Sequence, residues 1–287
     1  MKSMRGRKPL IVCVTDTEYA AVKNYFNDGE RETFQSVVLE HGFFGGHPFT
    51  LCRFAEMGAR GGDTIAHRMA ETLEYLVPTF VVELGICFGL KDDVKIGDVA
   101  VCQYSADYEL AKINVASKQF RIRTTKADPK LYAELIAFAS RQTFKYQVVG
   151  AVYACGDKVV NSTDFKKRIL NAIPDAKCGD MESYSLGVAC DNKRIPWIVL
   201  KASSDDGVNK GDEFQKSAAA ASVEFFNAFL ADWNNLEAYF DVPYEVDFKS
   251  GGDFEYISRE IFNGAPLRTE EICTARTSAA IHYHPEV

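Results

Sequence analysis

The sequence lacks long apolar runs and an excess of basic residues, and each absence excludes a class of protein. No apolar run approaches the roughly 20 residues that a membrane-spanning helix needs. The N-terminal stretch MKSMRGRKPLIVCVTD lacks the long apolar core and the cleavage site of a signal peptide. The formal net charge of −7 disfavours nucleic acids and anionic membranes as partners, because basic surfaces bind both. We therefore expect a cytoplasmic protein with neither kind of partner.

Paired cysteines are also missing. None of the eight cysteines forms a CxxC pair, and several lie inside apolar segments that predict strands. We expect reduced, buried thiols rather than disulfides or a zinc site. His282 and His284 near the C-terminus are a weak metal signal, so no metal site is predicted. The cysteines are Cys13, Cys52, Cys87, Cys102, Cys155, Cys178, Cys190 and Cys273.

No Pro- or Ser-rich linker and no internal repeat divides the 287 residues, of which 47% are apolar. One domain with a sizeable core is therefore expected over residues 1–233. Apolar runs alternate with helix-like segments, which favours a three-layer α/β/α fold around a mixed, mostly parallel sheet. Residues 234–287 show weak periodicity and many aromatics. We predict that they form an extension that acts as a lid or a subunit contact.

The predicted elements follow the apolar runs and the helix-capping signals. The glycine-rich passage 41–48 indicates a turn between two strands, and residues 106–125 are expected to be rich in loops. Strands are predicted at 10–14, 49–54, 80–84, 99–104, 147–154 and 197–200. Helices are predicted at 15–26, at 64–77 with Asp63 as the cap, and at 129–141, 163–170, 183–192 and 215–233.

Three acidic residues lie close to the ends of predicted strands. Asp205 follows the strand that begins at Trp197, and Glu182 precedes the helix that leads into this strand. Ligands of wound α/β sheets bind outside the carboxyl ends of the strands, so we expect Asp205 and Glu182 to face one polar cleft. Glu18 lies in the first turn of the helix after the first strand. Taken alone, Glu18 is better explained as complementing the dipole of that helix.

Arg60 lies in a glycine-rich segment, MGARGGD, ahead of a predicted helix. Backbone N–H groups of such a segment can bind an anion, and Arg60 would add positive charge. The segment fits neither the Walker A nor the dinucleotide-binding pattern, so a tight turn with a solvated arginine explains it equally well.

Four ordered stretches together resemble the superfamily of purine nucleoside phosphorylases and methylthioadenosine/S-adenosylhomocysteine nucleosidases. The resemblance covers roughly residues 10 to 232, and only the ordered set is specific. The stretches are Thr15-Asp16-Thr17-Glu18, Glu83 to Leu90 followed by Ile96-Gly97-Asp98-Val99, Cys155-Gly156-Asp157, and Asp180-Met181-Glu182 followed by Ser203-Ser204-Asp205.

The resemblance implies cleavage of the N-glycosidic bond of a purine nucleoside or nucleotide, with no cofactor. Breaking this bond leaves a ribose cation similar to an oxocarbenium ion, and the departing purine must be protonated. Asp205 matches the general acid, which must hold a proton near neutral pH, and Ser204 matches the residue that orients it. Glu182 would bind the ribose hydroxyls and stabilise the cation. Glu18 would activate the attacking water as general base.

The resemblance also assigns substrate-binding positions. Met181 would pack beneath the sugar, and Asp157 belongs to a turn that lies against the base. Backbone groups of Val159 would contact the edge of the base, although family members often carry an aromatic residue there. Gly85 and Ile86 would let the backbone approach the substrate closely. Arg60 would hold a phosphate, either as a reactant or as part of the substrate.

Three functions remain open from the sequence. Apolar residues in the loop that contains Ile86, and the carboxylate of Glu18, favour water over phosphate as the nucleophile. Arg60 is the main argument for the alternative, a phosphate-dependent phosphorylase. A non-catalytic nucleoside-binding regulatory protein on the same fold is the third possibility, and the presence of all three carboxylates argues against it. The resemblance further implies a homodimer or a larger homo-oligomer.

Overall fold

One mixed β-sheet organises the fold, and the chain returns to a strand after each of the first five helices. The computed structural model describes residues 7–114, 117–208 and 211–233. The strands of these ranges are β1 (Leu10–Cys13), β2 (Phe26–Phe34), β3 (Val37–Phe44), β4 (His47–Arg53), β5 (Val81–Gly89), β6 (Val99–Asp107), β7 (Ala111–Asn114), β8 (Ser117–Phe120), β9 (Arg123–Lys126), β10 (Val148–Cys155), β11 (Ala176–Asp180) and β12 (Trp197–Asp205).

The centre of the sheet is parallel and deeply buried. β1 pairs in parallel with β4 and β5, and β12 pairs in parallel with β5. Antiparallel pairs join β12 to β6, and β3 to both β2 and β4. The order across the sheet is β11-β10-β6-β12-β5-β1-β4-β3-β2, with β9 beside β6, whereas β7 and β8 form a separate hairpin. Every residue of β1 and β12 is buried, which is typical of strands covered on both faces.

The helices pack in two groups. The longest, α6, packs against β5, β12, α1 and α3, whereas α5 packs against β6, β9 and α2. The predicted α/β class with a mixed central sheet is therefore confirmed. None of these helices is both long and apolar enough to cross a membrane. The helices of the described ranges are α1 (Asp16–Lys23), α2 (Ile65–Leu76), α3 (Pro129–Arg141), α4 (Thr163–Ala172), α5 (Ser183–Asn192) and α6 (Gln215–Asp232).

Two central strands are longer than predicted. β5 continues through the glycine-containing segment to Gly89, and β12 continues through the serines to Asp205. The two extensions pair with each other, with Ala202 opposite Ile86 and Asp205 opposite Phe88. Backbone pairing between neighbouring strands therefore overrides the local preference of glycine and serine for turns.

Several predicted boundaries are wrong. The first helix ends at Lys23, and Phe26 already begins β2. Thr64 rather than Asp63 is the N-cap of α2, and Asp63 Oδ1 instead accepts from the Ser36 hydroxyl and from Arg68 Nε. The predicted turn 41–48 is confined to two residues, Gly45 and Gly46, whose positive φ angles only glycine adopts readily.

Several strands are missing from the prediction, among them β11 and the two groups that follow. The sequence of β2, FNDGERETF, is too polar to suggest a strand, and it forms an edge strand because β3 offers an antiparallel partner. The segment 106–125, expected to be rich in loops, contains β7, β8 and most of β9. The predicted extension, residues 234–287, lies outside the described residues together with Cys273, His282 and His284. The other seven cysteines are free and buried, as predicted.

Aromatic side chains fix helix α6 against the β3–β4 end of the sheet. Phe44 of β3 is fully buried, and its ring lies 5.9 Å from the ring of Phe49 and 5.8 Å from the ring of Phe226 on α6. The ring of Phe226 also lies 6.2 Å from that of Phe49. These rings join one strand pair to the helix that covers the centre of the sheet.

We predict that Phe44→Ala lowers the free energy of unfolding by about 3–5 kcal/mol, because it leaves a cavity among these rings. The neighbouring residue, Phe43, supplies a matched control, since it points to the other side of β3 and is 52% exposed. Phe43→Ala should change the free energy by no more than about 0.5 kcal/mol. Denaturant titrations measure both values, and equal losses in the two variants would contradict this packing.

Candidate active site

Glu18 lies at the carboxyl end of β1, where the chain turns into α1. Thr15 caps the helix: its hydroxyl accepts a hydrogen bond from the backbone N–H of Glu18, and its own N–H donates to Glu18 Oε2 over 2.8 Å. This reciprocal capping box explains why the Thr-x-x-Glu sequence starts a helix here. Glu18 Oε1 accepts a further hydrogen bond of 2.9 Å from the N–H of Ile86 in β5. The carboxylate is therefore buried and shared between the helix start and β5.

Gly85 makes room for this carboxylate. A Cβ atom added to Gly85 would lie 2.2 Å from Glu18 Oε1, closer than any non-bonded contact allows. The position of Glu18 therefore requires glycine before Ile86.

Ser204 and Asp205 end β12 next to the same stretch of β5. The Ser204 hydroxyl lies 3.2 Å from the carbonyl oxygen of Cys87 and 3.1 Å from Asp205 Oδ2, and Asp205 Oδ1 accepts from the N–H of Gly207 over 2.9 Å. Asp205 is buried, whereas Asp206 is exposed. β12 ends at Asp205, so Asp206 already lies beyond the strand.

Glu182 lies between β11 and α5 and contacts a buried lysine that the sequence prediction did not include. Lys201 Nζ lies 2.9 Å from Glu182 Oε2, 2.8 Å from Asp180 Oδ2 and 2.7 Å from Glu83 Oε1. The three carboxylates come from different elements, and the side chains of Lys201, Glu83 and Asp180 are each only 1% exposed. We call these four residues the Lys201 cluster.

Burial and neighbouring charges shift the pKa values of Glu182 and Lys201. Burial is the largest influence on Glu182 and raises its pKa, and the charges of Asp180 and Glu18 act in the same direction while Lys201 opposes them. Burial by itself would lower the pKa of Lys201, but the surrounding carboxylates outweigh it and raise that pKa well above its usual value. The lysine therefore stays positively charged, and its single positive charge is shared among three carboxyl groups.

The cluster also bears on metal binding. Oxygen atoms of Glu83, Asp180 and Glu182 lie within 4.8 Å of one another, a spacing at which carboxylates can hold a divalent cation. The ammonium of Lys201 contacts all three and takes the position that such a cation would need.

The segment between β4 and α2 gathers a second group of predicted residues. The N–H of Gly58 donates to Glu182 Oε1 over 3.2 Å, and the N–H of Ala59 donates to Asp157 Oδ1 over 2.9 Å. Arg60 Nε lies 3.1 Å from Asp157 Oδ2, although the arginine side chain is 84% exposed. A Cβ atom added to Gly58 would lie 3.3 Å from the terminal carbon of Met181, which places Met181 beside this segment.

The two groups belong to one region. The charge of Glu18 raises the pKa of both Glu182 and Lys201, so the carboxylate at the end of β1 lies within electrostatic range of the cluster. Lys201 also joins Glu182 to β5 through Glu83. Val159 follows Asp157 by two residues and is 58% exposed. The structure thus places Glu18 and Asp205 beside the carboxyl-terminal half of β5 and connects Glu182 to the same strand through Lys201 and Glu83.

A signal for the missed residues is present in the sequence. Glu83 interrupts the apolar run of β5, and Lys201 interrupts that of β12, in strands that otherwise show the composition of full burial. A charged residue in such a strand needs a buried partner of opposite charge. The two interruptions therefore pointed to a buried ion pair, without identifying Asp180 and Glu182 as further members.

Comparison with known proteins assigns this chain to a family. A family model described as "Phosphorylase superfamily" matches residues 8–232. A protein of Amphimedon queenslandica named "Death domain-containing ATP nucleosidase" is 26% identical over 79% of this chain, and the match spans 49% of that protein's length. A 5′-methylthioadenosine/S-adenosylhomocysteine nucleosidase of Glaesserella parasuis is 27% identical over 59% of this chain and 76% of its own.

Solved structures share the fold. The 5′-methylthioadenosine/S-adenosylhomocysteine nucleosidase of Neisseria meningitidis, in complex with methylthio-immucillin-A, superposes with a TM-score of 0.69 at 19% identity. This match covers 79% of this chain and all of that one. The futalosine hydrolase of Helicobacter pylori gives the same TM-score at 18% identity, over 79% of this chain and 99% of that one.

We predict that Gly85→Ala displaces the Glu18 carboxylate, because the new methyl group and Glu18 Oε1 cannot occupy their present positions together. The lost partners of this buried charge should lower the free energy of unfolding by about 1–3 kcal/mol, as measured by chemical denaturation. Gly62→Ala is the control, since nothing lies within 4 Å of a Cβ atom added there. A loss in Gly62→Ala as large as that in Gly85→Ala would contradict the proposed role of Gly85.

Proposed function

Because the chain belongs to the phosphorylase superfamily, we propose that it is a nucleosidase that hydrolyses the N-glycosidic bond of a purine nucleoside or nucleotide. The observation that carries this proposal is the position of three buried carboxylates beside β5: Glu18 accepts from the N–H of Ile86, Asp205 lies opposite Phe88, and Glu182 shares the Lys201 ammonium with Glu83 of that strand. Acidic groups of this kind fit a reaction that passes through a ribose cation and releases an anionic base.

In the proposed reaction, the bond between the ribose C1′ and the purine nitrogen breaks, and its electron pair leaves with the purine. Asp205 donates a proton to N7 of the departing base, and Ser204, 3.1 Å from Asp205 Oδ2, orients the acid. Glu182 binds the ribose hydroxyls, and its negative charge stabilises the ribose cation. Glu18 takes a proton from the water whose oxygen attacks C1′.

The remaining predicted residues bind the substrate in this proposal. Met181 packs beneath the sugar, and Asp157 holds Arg60 and the 56–64 segment at the edge of the site. Backbone groups near Val159 contact the base. Gly85 and Ile86 let the sugar approach the backbone of β5.

The contacts of Glu18 favour water over phosphate as the nucleophile. A phosphate bound at β5 would need free backbone donors, but the N–H of Ile86 already donates to Glu18 Oε1. The carboxylate would also repel a phosphate placed beside it. The half-buried Ile86 and the buried Cys87 offer no charged side chain in its place.

Arg60 and one relative favour a nucleotide as the substrate. The Arg60 guanidinium is 84% exposed next to Asp157, so it can reach a phosphate group on the substrate. The Amphimedon queenslandica relative is named an ATP nucleosidase. A nucleotide substrate would keep the carboxylates in the same roles and add only the contact with Arg60.

Product analysis tests the proposed function. The full chain is incubated with purine nucleosides and nucleotides, with and without inorganic phosphate, and the products are separated by chromatography. We expect free purine and free ribose, or ribose phosphate from a nucleotide, in the absence of phosphate. Ribose 1-phosphate that appears only with phosphate would identify a phosphorylase, and binding without turnover would identify a regulatory protein.

We predict that Asp205→Asn lowers kcat by about 10²-fold or more, because the amide cannot protonate the leaving base. Asp206→Asn is the matched control: it makes the same change one residue away, on an exposed side chain whose Oδ1 accepts from the N–H of Val208. Steady-state kinetics on both variants decide the assignment. Full activity of Asp205→Asn, or an equal loss in Asp206→Asn, would remove Asp205 from the role of general acid.

We also propose a homo-oligomer in a reducing, cytoplasmic setting. The seven described cysteines are free, and burial raises the pKa of thiols such as Cys102 and Cys155, which makes them poorly reactive. Residues 1–233 would form the catalytic domain, and residues 234–287 a lid or a subunit contact. Sedimentation of the full chain at micromolar concentration tests the assembly.

A further inference from the structure

The Lys201 cluster holds more negative than positive charge in a buried place. Three ionised carboxylates and one ammonium would leave two uncompensated negative charges, and the side chains of Lys201, Glu83 and Asp180 are each only 1% exposed. Two unbalanced charges at such depth are costly, because the protein interior solvates them poorly. Retention of a proton by one of the three acids lowers this cost.

The hydrogen bonds of the three acids identify which one holds that proton. Besides Lys201, Asp180 accepts from the N–H and the hydroxyl of Ser183, over 3.0 and 2.6 Å. Glu182 accepts from the N–H groups of Gly58 and Met181. Hydrogen bonds from N–H and O–H donors stabilise the ionised form of a carboxyl group.

Glu83 has no comparable set of donors. Its Oε1 contacts Lys201 over 2.7 Å, whereas its buried Oε2 has no hydrogen-bond partner among the residues that the structure describes. A carboxylate oxygen without a donor is the least stable place for negative charge in the cluster. Of the three acids, Glu83 therefore forgoes the fewest stabilising hydrogen bonds when it stays neutral.

We propose that Glu83 is a neutral carboxylic acid in the active protein and that its protonation keeps Glu182 ionised and positioned by Lys201. Lys201 then compensates two carboxylates rather than three. Glu83 acts through Lys201 and Glu182 as a positioning residue and does not touch the substrate. The protonation of Glu83 stands on the cluster alone, whereas its effect on the reaction rests on the proposed nucleosidase function.

The electrostatic surroundings of Glu83 agree with this assignment. Burial raises the pKa of Glu83 to about 8, with Lys201 opposing and the charges of Asp180 and Glu182 reinforcing the shift. The titratable groups that face it from the neighbouring elements are Lys201 on β12, Asp180 on β11, Glu182 before α5, and the thiols of Cys13 on β1, Cys102 on β6 and Cys190 on α5.

A pH effect follows from this position. Above about pH 8, ionised Glu83 would add a third negative charge within 4.8 Å of Asp180 and Glu182. The carboxylates then repel one another around a single ammonium, and Glu182 leaves the position from which it binds ribose. Activity should therefore fall on the alkaline side of neutrality.

Glu83→Gln is the decisive variant, because glutamine has the shape of the neutral acid and cannot ionise. Infrared difference spectra of the wild-type full chain, taken between about pH 6 and about pH 10, should show a carboxylic-acid carbonyl band that disappears as Glu83 ionises. This band should be absent from Glu83→Gln. It should persist in Glu40→Gln, since hydrogen bonds from Lys23 and Tyr19 outweigh burial and lower the pKa of Glu40. No such band in the wild type, or its persistence in Glu83→Gln, would overturn the proposal.

Stability supplies a second readout. The pKa of Glu83 is raised in the folded state, so the stability contributed by its proton is complete below the ordinary value of 4.5 and is lost as the pH rises through about 8. The Tm of Glu83→Gln should therefore increase relative to wild type across this window, as measured by calorimetry. A Tm difference that is independent of pH would contradict the proposal.

Kinetics tests the link to function. The wild-type kcat/KM for the preferred nucleoside should fall above about pH 8, and this alkaline limb should be absent from Glu83→Gln. The same limb in both proteins would show that Glu83 does not position Glu182. If the wild type cleaves no purine nucleoside or nucleotide, the proposed function fails, while the infrared titration still decides the protonation of Glu83.

Discussion

The contact of the Lys201 ammonium with three buried carboxylates is the interaction on which the site depends. It connects β12, β5, β11 and the start of α5 at one point, at distances of 2.7 to 2.9 Å. Loss of the lysine would leave acidic groups buried without compensation, which typically costs several kcal/mol. The same contact fixes Glu182, the residue to which we assign binding of the ribose. Stability of the sheet centre and geometry of the site are therefore coupled through one side chain.

Strand β5 positions the residues of the site relative to one another. Consecutive residues of its carboxyl-terminal half serve different partners: the N–H of Ile86 binds Glu18, the carbonyl of Cys87 lies beside Ser204, and Phe88 pairs with Asp205. Gly85 leaves the space that the Glu18 carboxylate fills. A strand that is buried on both faces thus holds Asp205 at the end of β12 and Glu18 after β1 in a fixed relation.

The parts of the structure that the sequence predicted are those set by local pattern. The apolar runs of β1 and β12 identify buried strands, and the capping residues after β1 identify the start of α1. β2 escaped prediction because its nine residues are mostly polar, and its pairing with β3 makes it a strand. The role of Lys201 was not predicted for a related reason. That role depends on contacts with Glu83 and Asp180, which are distant in sequence and meet only in the folded sheet.

The proposed function requires that Glu18, Glu182 and Asp205 surround the bond between a ribose and a purine. The most direct test is a crystal structure of the full chain with a purine nucleoside analogue whose base is joined to the sugar by a carbon–carbon bond that cannot be hydrolysed. We expect Glu182 to accept hydrogen bonds from the ribose hydroxyls, Asp205 to lie within hydrogen-bond distance of N7, and Glu18 to face C1′ across a water molecule. An analogue bound away from these three side chains would contradict the proposed function.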